Sequence, residues 1–453
     1  VRSAQVLCRT LIEINVQNST INEEKKLKPR SGILGSAAIY TVANIINASI
    51  PFLLLPILTR VLTPADYGTV AMFGVVVTVL GVFTGLSVHG IVGIRYFEKE
   101  QIDFPRFIAS CLSILFVSSF VVFVVVAITH HWLEEFTKLP MVWLLVAVLV
   151  SGAQFAIQIR LVVWQSARQP WRYAALQIGQ SALNAGMSLW LVLGLGMAWE
   201  GRLIGNAAAV VLFGILAFWG LWNAGWIKFP ASKEYTREAL KFGVPLMPHT
   251  VGGILIAVAD RFIISNVLGV EQTGIYVVSL QLGMALGLVA DAFVKAYGPW
   301  LYEKLQTNSP QAALNVVGAT YLVVAAFLLL FGLSWLVLWL IFDMVTSPEY
   351  SEAKKLLGWF LLGNAFKGMY YAVAGFFFFT SKTHTLSYIT VTLGTIQMFS
   401  TWYFVGQVGI GGAAGVFAIS NILLFFVAWR IGAGFIHLPW LNIRAAVRSV
   451  VRG

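Results

Sequence analysis

Residues 57–68 read Ile57-Leu58-Thr59-Arg60-Val61-Leu62-Thr63-Pro64-Ala65-Asp66-Tyr67-Gly68, and residues 263–274 read Ile263-Ile264-Ser265-Asn266-Val267-Leu268-Gly269-Val270-Glu271-Gln272-Thr273-Gly274. The isoleucine, valine, leucine and final glycine recur at one constant offset. Outward from there, Phe97-Glu98-Lys99 matches Tyr302-Glu303-Lys304 after a one-residue slip. Ser166, Tyr173, Gly179, Gly194 and Asn206 then recur, at one further constant offset, as Ser381, Tyr388, Gly394, Gly409 and Asn421. Single matches between apolar helices are weak evidence, but matches in the same order across both halves indicate an internal duplication.

Each copy is a run of membrane-length segments. The 453 residues are 58% hydrophobic and 11% charged, with a mean hydropathy of +0.82, which excludes an ordinary soluble domain. A span needs about 20 mostly apolar residues. Twelve such segments lie near 31–59, 68–94, 106–129, 140–166, 171–197, 202–227, 241–268, 273–299, 312–342, 354–381, 384–407 and 411–437. The expected fold is an all-α polytopic membrane protein, its twelve transmembrane helices forming two six-helix lobes related by a parallel repeat. An even-numbered repeat keeps both copies in one orientation, with an axis along the membrane normal and a central cavity. The expected divisions are a polar tail (1–30), an N-lobe (31–227), a linker (228–240), a C-lobe (241–437) and a basic tail (438–453).

Most of the 30 basic residues fall on every second connection. Positive residues resist translocation, so both termini are expected in the cytoplasm. The net charge of +11 is then a topology signal and needs no nucleic acid to explain it. The opposite connections hold only Arg60, Lys138, Arg202, Lys354 and Lys355. Cys8 and Cys111 offer neither a disulfide framework nor a metal site. The first thirty residues lack the compact apolar core of a signal peptide.

The stretch Leu58-Thr59-Arg60-Val61-Leu62-Thr63-Pro64-Ala65-Asp66-Tyr67-Gly68 and its partner Ala259-Asp260-Arg261-Phe262-Ile263-Ile264-Ser265-Asn266-Val267-Leu268-Gly269 resemble polysaccharide transporters of the multidrug/oligosaccharidyl-lipid/polysaccharide superfamily, particularly the O-antigen (Wzx-type) flippases. The resemblance runs from about 31 to 437. It implies a V-shaped, alternating-access carrier in the bacterial cytoplasmic membrane. Such a carrier turns a lipid-diphosphate-linked oligosaccharide to the outer leaflet without a cofactor. Its partners would be that lipid and the surrounding membrane lipids. Docking on a polysaccharide polymerase or glycosyltransferases, and coupling to H+ or Na+, stay open.

Charges inside the spans suggest the site. Lys367 lies about 20 Å of helix rise from both Lys354 and Lys382, close to the midplane, where a charge costs at least ~3 kcal/mol. Asn364 and Tyr371 share its face. A contact to diphosphate or an acidic sugar is the functional reading, and a lysine paired with a carboxylate to lock two helices is the structural one. Asp260 and Arg261 are adjacent, so they are expected to point apart. Arg261 and Arg60 stand at corresponding ends of the seventh and first spans as candidate diphosphate contacts or gate salt bridges. Asp291 and Lys295 suit an intrahelical i, i+4 pair. His89 and His249 are expected to be packing residues rather than proton carriers.

Amide stripes add candidate sugar contacts: Asn44 and Asn47 on the first span, Gln154 and Gln158 on the fourth, and Gln177, Gln180, Asn184 and Ser188 on the fifth. Pro51 and Pro56 in the first span and Pro245 and Pro248 in the seventh are expected to bend the first helix of each repeat, making them gating elements. The pairs Gly81/Gly85, Gly283/Gly287 and Gly411/Gly415 are assigned to helix packing.

Among enzymes, a membrane glycosyltransferase or polysaccharide polymerase would need a larger outer loop. ATP hydrolysis would need a phosphate-binding loop, which the sequence lacks. His130 and Glu134 sit at ligand spacing without an evident third ligand, so no metal is expected. The nearer rival is a cation-coupled multidrug exporter of the same superfamily, which would favour acidic residues in its cavity.

Overall fold

The computed structural model describes residues 33–307, 309–436 and 438–452, and the expectations for the 1–30 tail, with Cys8, lie outside them. Two helices meet at the quoted stretch. α1 spans Ile33–Val61 and α2 spans Pro64–Phe83. The corner is built by its sequence: the Thr63 hydroxyl accepts from the Asp66 N–H at 3.2 Å, and the Asp66 carboxylate accepts from the Thr63 N–H at 3.0 Å. Pro64 fills the first helical position, where no N–H is needed.

The remaining elements are helical throughout. They are α3 (His89–Arg95), α4 (Phe104–Thr137), α5 (Met141–Ser166), α6 (Pro170–Leu189, continued by a π turn over Trp190–Gly194), α7 (Ala198–Asn223), α8 (Lys233–Val267), α9 (Val270–Thr307), α10 (Pro310–Val345), α11 (Ala353–Phe379), α12 (Thr383–Val408), α13 (Ile410–Gly432) and α14 (Ile443–Arg452). All but α3 and α14 correspond to the twelve expected spans. The second span ends early: Gly85, Leu86 and Ser87 take left-handed backbone angles, which breaks α2 from α3. Eight of the twelve are long and apolar enough to cross a membrane on their own, and α8 joins them as a bent pair. The other three, α6, α11 and α12, carry polar residues such as Gln177 and Gln180, Asn364 and Lys367, and Thr390 and Gln397. Polar groups lower hydropathy, so these helices depend on protein neighbours to shield them.

The halves meet where the repeat is clearest. A Cβ at Gly68 on α2 would lie 1.8 Å from the Val270 carbonyl oxygen, and one at Gly274 on α9 would lie 1.9 Å from the Pro64 carbonyl oxygen. The contact is reciprocal between equivalent positions, as an axis running between the two copies requires. Nearby, the Tyr350 hydroxyl donates to the Leu62 carbonyl at 2.8 Å. Thr59 Oγ1 donates to the Val345 carbonyl at 3.3 Å, and an Arg60 N–H donates to the Met344 carbonyl at 2.7 Å. The lobes are therefore closed against each other at the weakly charged end. At the basic end, the start of α8 packs on the first half. Arg95 pairs with Glu98 and Glu238, and a Cβ at Gly243 would meet the Leu86 carbonyl oxygen at 2.3 Å.

Bends and glycines differ in part from the sequence expectation. α8 bends by 53° between Ile254 and Ile256, about two to three turns beyond Pro248 and Pro245 and directly after Gly252-Gly253, a pair that weakens the helix locally. Gly283 and Gly287 do pack closely, against Phe360 and Asn364, but Gly81, Gly411 and Gly415 have open space where a Cβ would sit. Gly85 serves the turn after α2 instead, at φ +83°. Cys111 is buried and free.

Replacing Gly68 by Val should lower the melting temperature and monodisperse yield in detergent, because overpacking a backbone contact costs at least about 1–3 kcal/mol. Gly415→Ala, into open space, should leave both unchanged or slightly improved. Equal behaviour of the two variants would contradict the packing described.

Candidate functional site

Lys367 projects from α11, the helix whose other faces bury Phe360, Leu361, Ala365, Met369 and Ala372. Its ammonium lies 4.0 Å from a carboxylate oxygen of Asp291 on α9. The Tyr371 hydroxyl donates to the same oxygen at 3.0 Å, and the ammonium sits 5.6 Å from the centroid of the Tyr371 ring. The Lys367 and Asp291 side chains keep 37% and 50% of their exposure. The pair is thus loose and open rather than sealed. Asp291 turns to α11 instead of forming the expected intrahelical pair with Lys295, because two donors of a neighbouring helix reach it. Asn364 differs from its neighbours: it is 3% exposed, bonds back to the Phe360 carbonyl at 2.9 Å and fills the notch at Gly287. In this conformation it is a packing residue.

On α8, Asp260 and Arg261 do not point apart. The Arg261 guanidinium folds back to Asp260 at 3.4 Å and to the Ala257 carbonyl at 2.7 Å. Asp260 also accepts from the buried Tyr276 hydroxyl at 2.7 Å. A long side chain can curl along its own helix, which the argument from adjacent positions overlooks. Arg60 is exposed at the end of α1 and engages α10 through the Met344 carbonyl.

The amide stripe of α6 divides into two parts. Toward the basic end, Gln180 donates to Gln154 of α5 at 3.5 Å, while the buried Gln177 Oε1 has no partner. Ser181 donates to Asn47 of α1, and Asn44, one turn away, is half-buried. α5 and α6, with α2, α3 and α7, border a cavity of about 440 Å³ lined by Thr78, His89, Gln154, Gln158, Gln180 and Asn206, with Phe73, Val77 and Phe155 among its apolar walls. His89 packs edge-on to Phe155, ring centroids 5.5 Å apart, and its Nδ1 is buried without a partner.

Toward the other end, Asn184 and Ser188 hold a cation that the sequence reading had placed in a loop. One N–H group of Arg202 donates to Asn184 Oδ1 at 2.5 Å and to Ser188 Oγ at 2.8 Å. Arg202 lies in the second turn of α7. Among the described residues no carboxylate is within ion-pair distance of it. It lines a space of about 150 Å³ between the lobes together with Pro51, Tyr67 and Gln281. Across that space Tyr67 donates to Gln281 at 2.8 Å, and Gln281 donates to the Pro51 carbonyl at 2.7 Å. A signal was present in the sequence: Arg202 and Asn206 are one turn apart on the face that meets the α6 stripe.

The arrangement is a bundle of membrane-length helices whose halves are packed together at the weakly charged end, with polar groups between and within them. Residues 33–303 match the family described as polysaccharide biosynthesis proteins, more than half of the chain, and the chain belongs to that family. It is similar to an Lsg locus protein of Haemophilus influenzae, 22% identical over 415 residues, covering 87% of this chain and 98% of that one. A second membrane protein of the same organism is 23% identical over 387 residues, covering 83% and 90%. Among solved structures, the lipid II flippase MurJ in an inward closed conformation aligns with a TM-score of 0.68 at 13% identity, over 93% of this chain and 90% of that one. An outward-facing multidrug transporter of the MATE family aligns at 0.54 and 15% identity, over 92% and 98%. The chain shares its fold with these solved membrane proteins.

With the other cysteines removed, Lys367→Cys should react with a small charged thiol reagent roughly ten times faster than Asn364→Cys, since access limits such reactions. Equal rates would show that the two positions do not differ in exposure as described.

Proposed function

We propose that the chain flips a lipid-diphosphate-linked oligosaccharide, an O-antigen or related surface-polysaccharide unit, across the bacterial cytoplasmic membrane by alternating access. The observation that carries this reading is the pairing of cationic groups with wet, uncharged amide surface. Arg202 between the lobes has no acidic partner among the described residues, and Lys367 is only loosely paired. The amide-lined N-lobe cavity offers donors and acceptors to sugar hydroxyls. A diphosphate head and a glycan need those two surfaces, while the lipid tail can stay in the bilayer. Planar guanidinium suits two phosphate oxygens. A drug exporter would need free carboxylates, and here Asp260 and Asp291 are both engaged.

The basic connections favour both termini in the cytoplasm, which would turn the closed, weakly charged end outward. The lobes comprise 31–227 and 241–437, joined by 228–240. The prolines of α1, the bend of α8 and the Arg60 and Arg261 contacts are the parts that rearrange. Polymerase and glycosyltransferase partners and a coupling H+ or Na+ would act around this step.

In cells lacking the native gene, Lys367→Ala and Arg202→Met should each reduce surface polysaccharide strongly at normal membrane levels of the protein, and Lys367→Arg should retain part of it. Full surface polysaccharide with both neutral variants would overturn the proposal.

A further inference from the structure

The last turns of α4 read His130-His131-Trp132-Leu133-Glu134 at the weakly charged end, and the function proposed above makes no use of them. On sequence spacing alone His130 and Glu134 lack a third ligand. The fold supplies one: the donor atoms of His130, His131 and Glu134 all lie within 4.8 Å of one another. We propose that these three side chains form a binding site for a divalent transition-metal ion of the Zn2+ type.

His130 Nδ1 is 3.6 Å from Glu134 Oε1, too far for a hydrogen bond, and it is buried with no other partner. Two ligands on one tetrahedral Zn2+ sit about 3.4 Å apart, given metal–ligand bonds of roughly 2.0–2.2 Å. That pair is therefore already near chelating separation. The His131 ring is stacked beside the His130 ring, centroids 3.9 Å apart and tilted by 38°, so only side-chain rotation is needed to bring its nitrogen in. The Met141 N–H donates to Glu134 Oε1 at 2.6 Å, a contact that holds the carboxylate in one orientation, as hydrogen bonds to metal-binding carboxylates do. Two imidazoles and one carboxylate favour Zn2+, Cu2+ or Ni2+ over Mg2+ or Ca2+. His131 is exposed, which leaves a fourth position for water.

The site adjoins a contact between the lobes. The carbonyl of Phe136 accepts from the Asn266 side chain of α8 at 2.9 Å, and the Phe136 ring stacks on Phe262 at 5.3 Å. An ion at this turn would stiffen the last turns of α4, which carry this contact.

The test is calorimetric titration of ZnCl2 into the purified full-length protein, free of any histidine tag and stripped with chelator. The wild type should bind one Zn2+ per chain, MgCl2 should give no binding, and thermal stability should rise with Zn2+ as it does for any ligand of the folded state. A His130→Gln/His131→Gln variant should lose at least a hundredfold in affinity and the Zn2+-dependent stabilisation. Glu134→Gln, which keeps the acceptor for the Met141 N–H, should weaken binding at least tenfold and serves if the double variant does not fold. No saturable Zn2+ binding by the wild type, or unchanged binding in the variants, would overturn the proposal.

Discussion

Everything between the two lobes depends on how closely α2 and α9 approach at Gly68 and Gly274. Carbonyl oxygens of each helix occupy the space where the other would carry a Cβ, so the backbones touch over a full turn. Water provides no hydrophobic drive between helices in lipid. Small residues that permit close van der Waals contact do the holding instead. The contact is reciprocal across the repeat, Pro64 with Gly274 and Gly68 with Val270. Tyr67 and Gln281 are placed by this crossing, and their hydrogen bond is the polar floor of the closed end.

The same crossing explains how an arginine is tolerated nearby. An isolated charge in a span is expensive, yet Arg202 is held by Asn184 and Ser188 from α6, with Tyr67 and Gln281 facing the same space. Neutral dipoles lower the cost of the charge without cancelling it, which keeps it available to an anion. Lys367 is treated differently: a carboxylate and an aromatic ring lie near it, but both charged side chains remain open to solvent. One cation is thus kept between the lobes and one inside the second lobe. The amide-lined cavity lies in the first.

Much of the fold was legible in the sequence. Twelve membrane-length segments and the recurring Gly68 and Gly274 follow from hydropathy and repetition, whereas the cap that starts α2 at Thr63 and Asp66 emerges only in the structure. The site was legible only in part. Periodicity tells which residues share a face, but it cannot name what lies opposite: Gln180 meets Gln154, while Asn184 and Ser188 meet Arg202. Asn364 therefore passed for a cavity residue when Gly287 receives it. Asp291 was given to Lys295 when Lys367 and Tyr371 claim it. The charge count places Arg202 with the connections, at the edge of the sixth span, yet α7 has already begun at Ala198. Each miss concerns a partner on another helix, and such partners are set by helix rotation and depth.

In the proposed cycle the lobes separate at the end now closed while carrying a lipid-linked diphosphate oligosaccharide. Cysteines replacing Thr59 and Val345, whose groups meet at 3.3 Å in the closed end, can be joined by a short reducible bifunctional thiol reagent in an otherwise cysteine-free protein. Translocation of a fluorescent lipid-diphosphate oligosaccharide is then followed in proteoliposomes. The account predicts transport before cross-linking, loss of it when the end is locked, and recovery on reduction. Undiminished transport with the lobes locked together would contradict it.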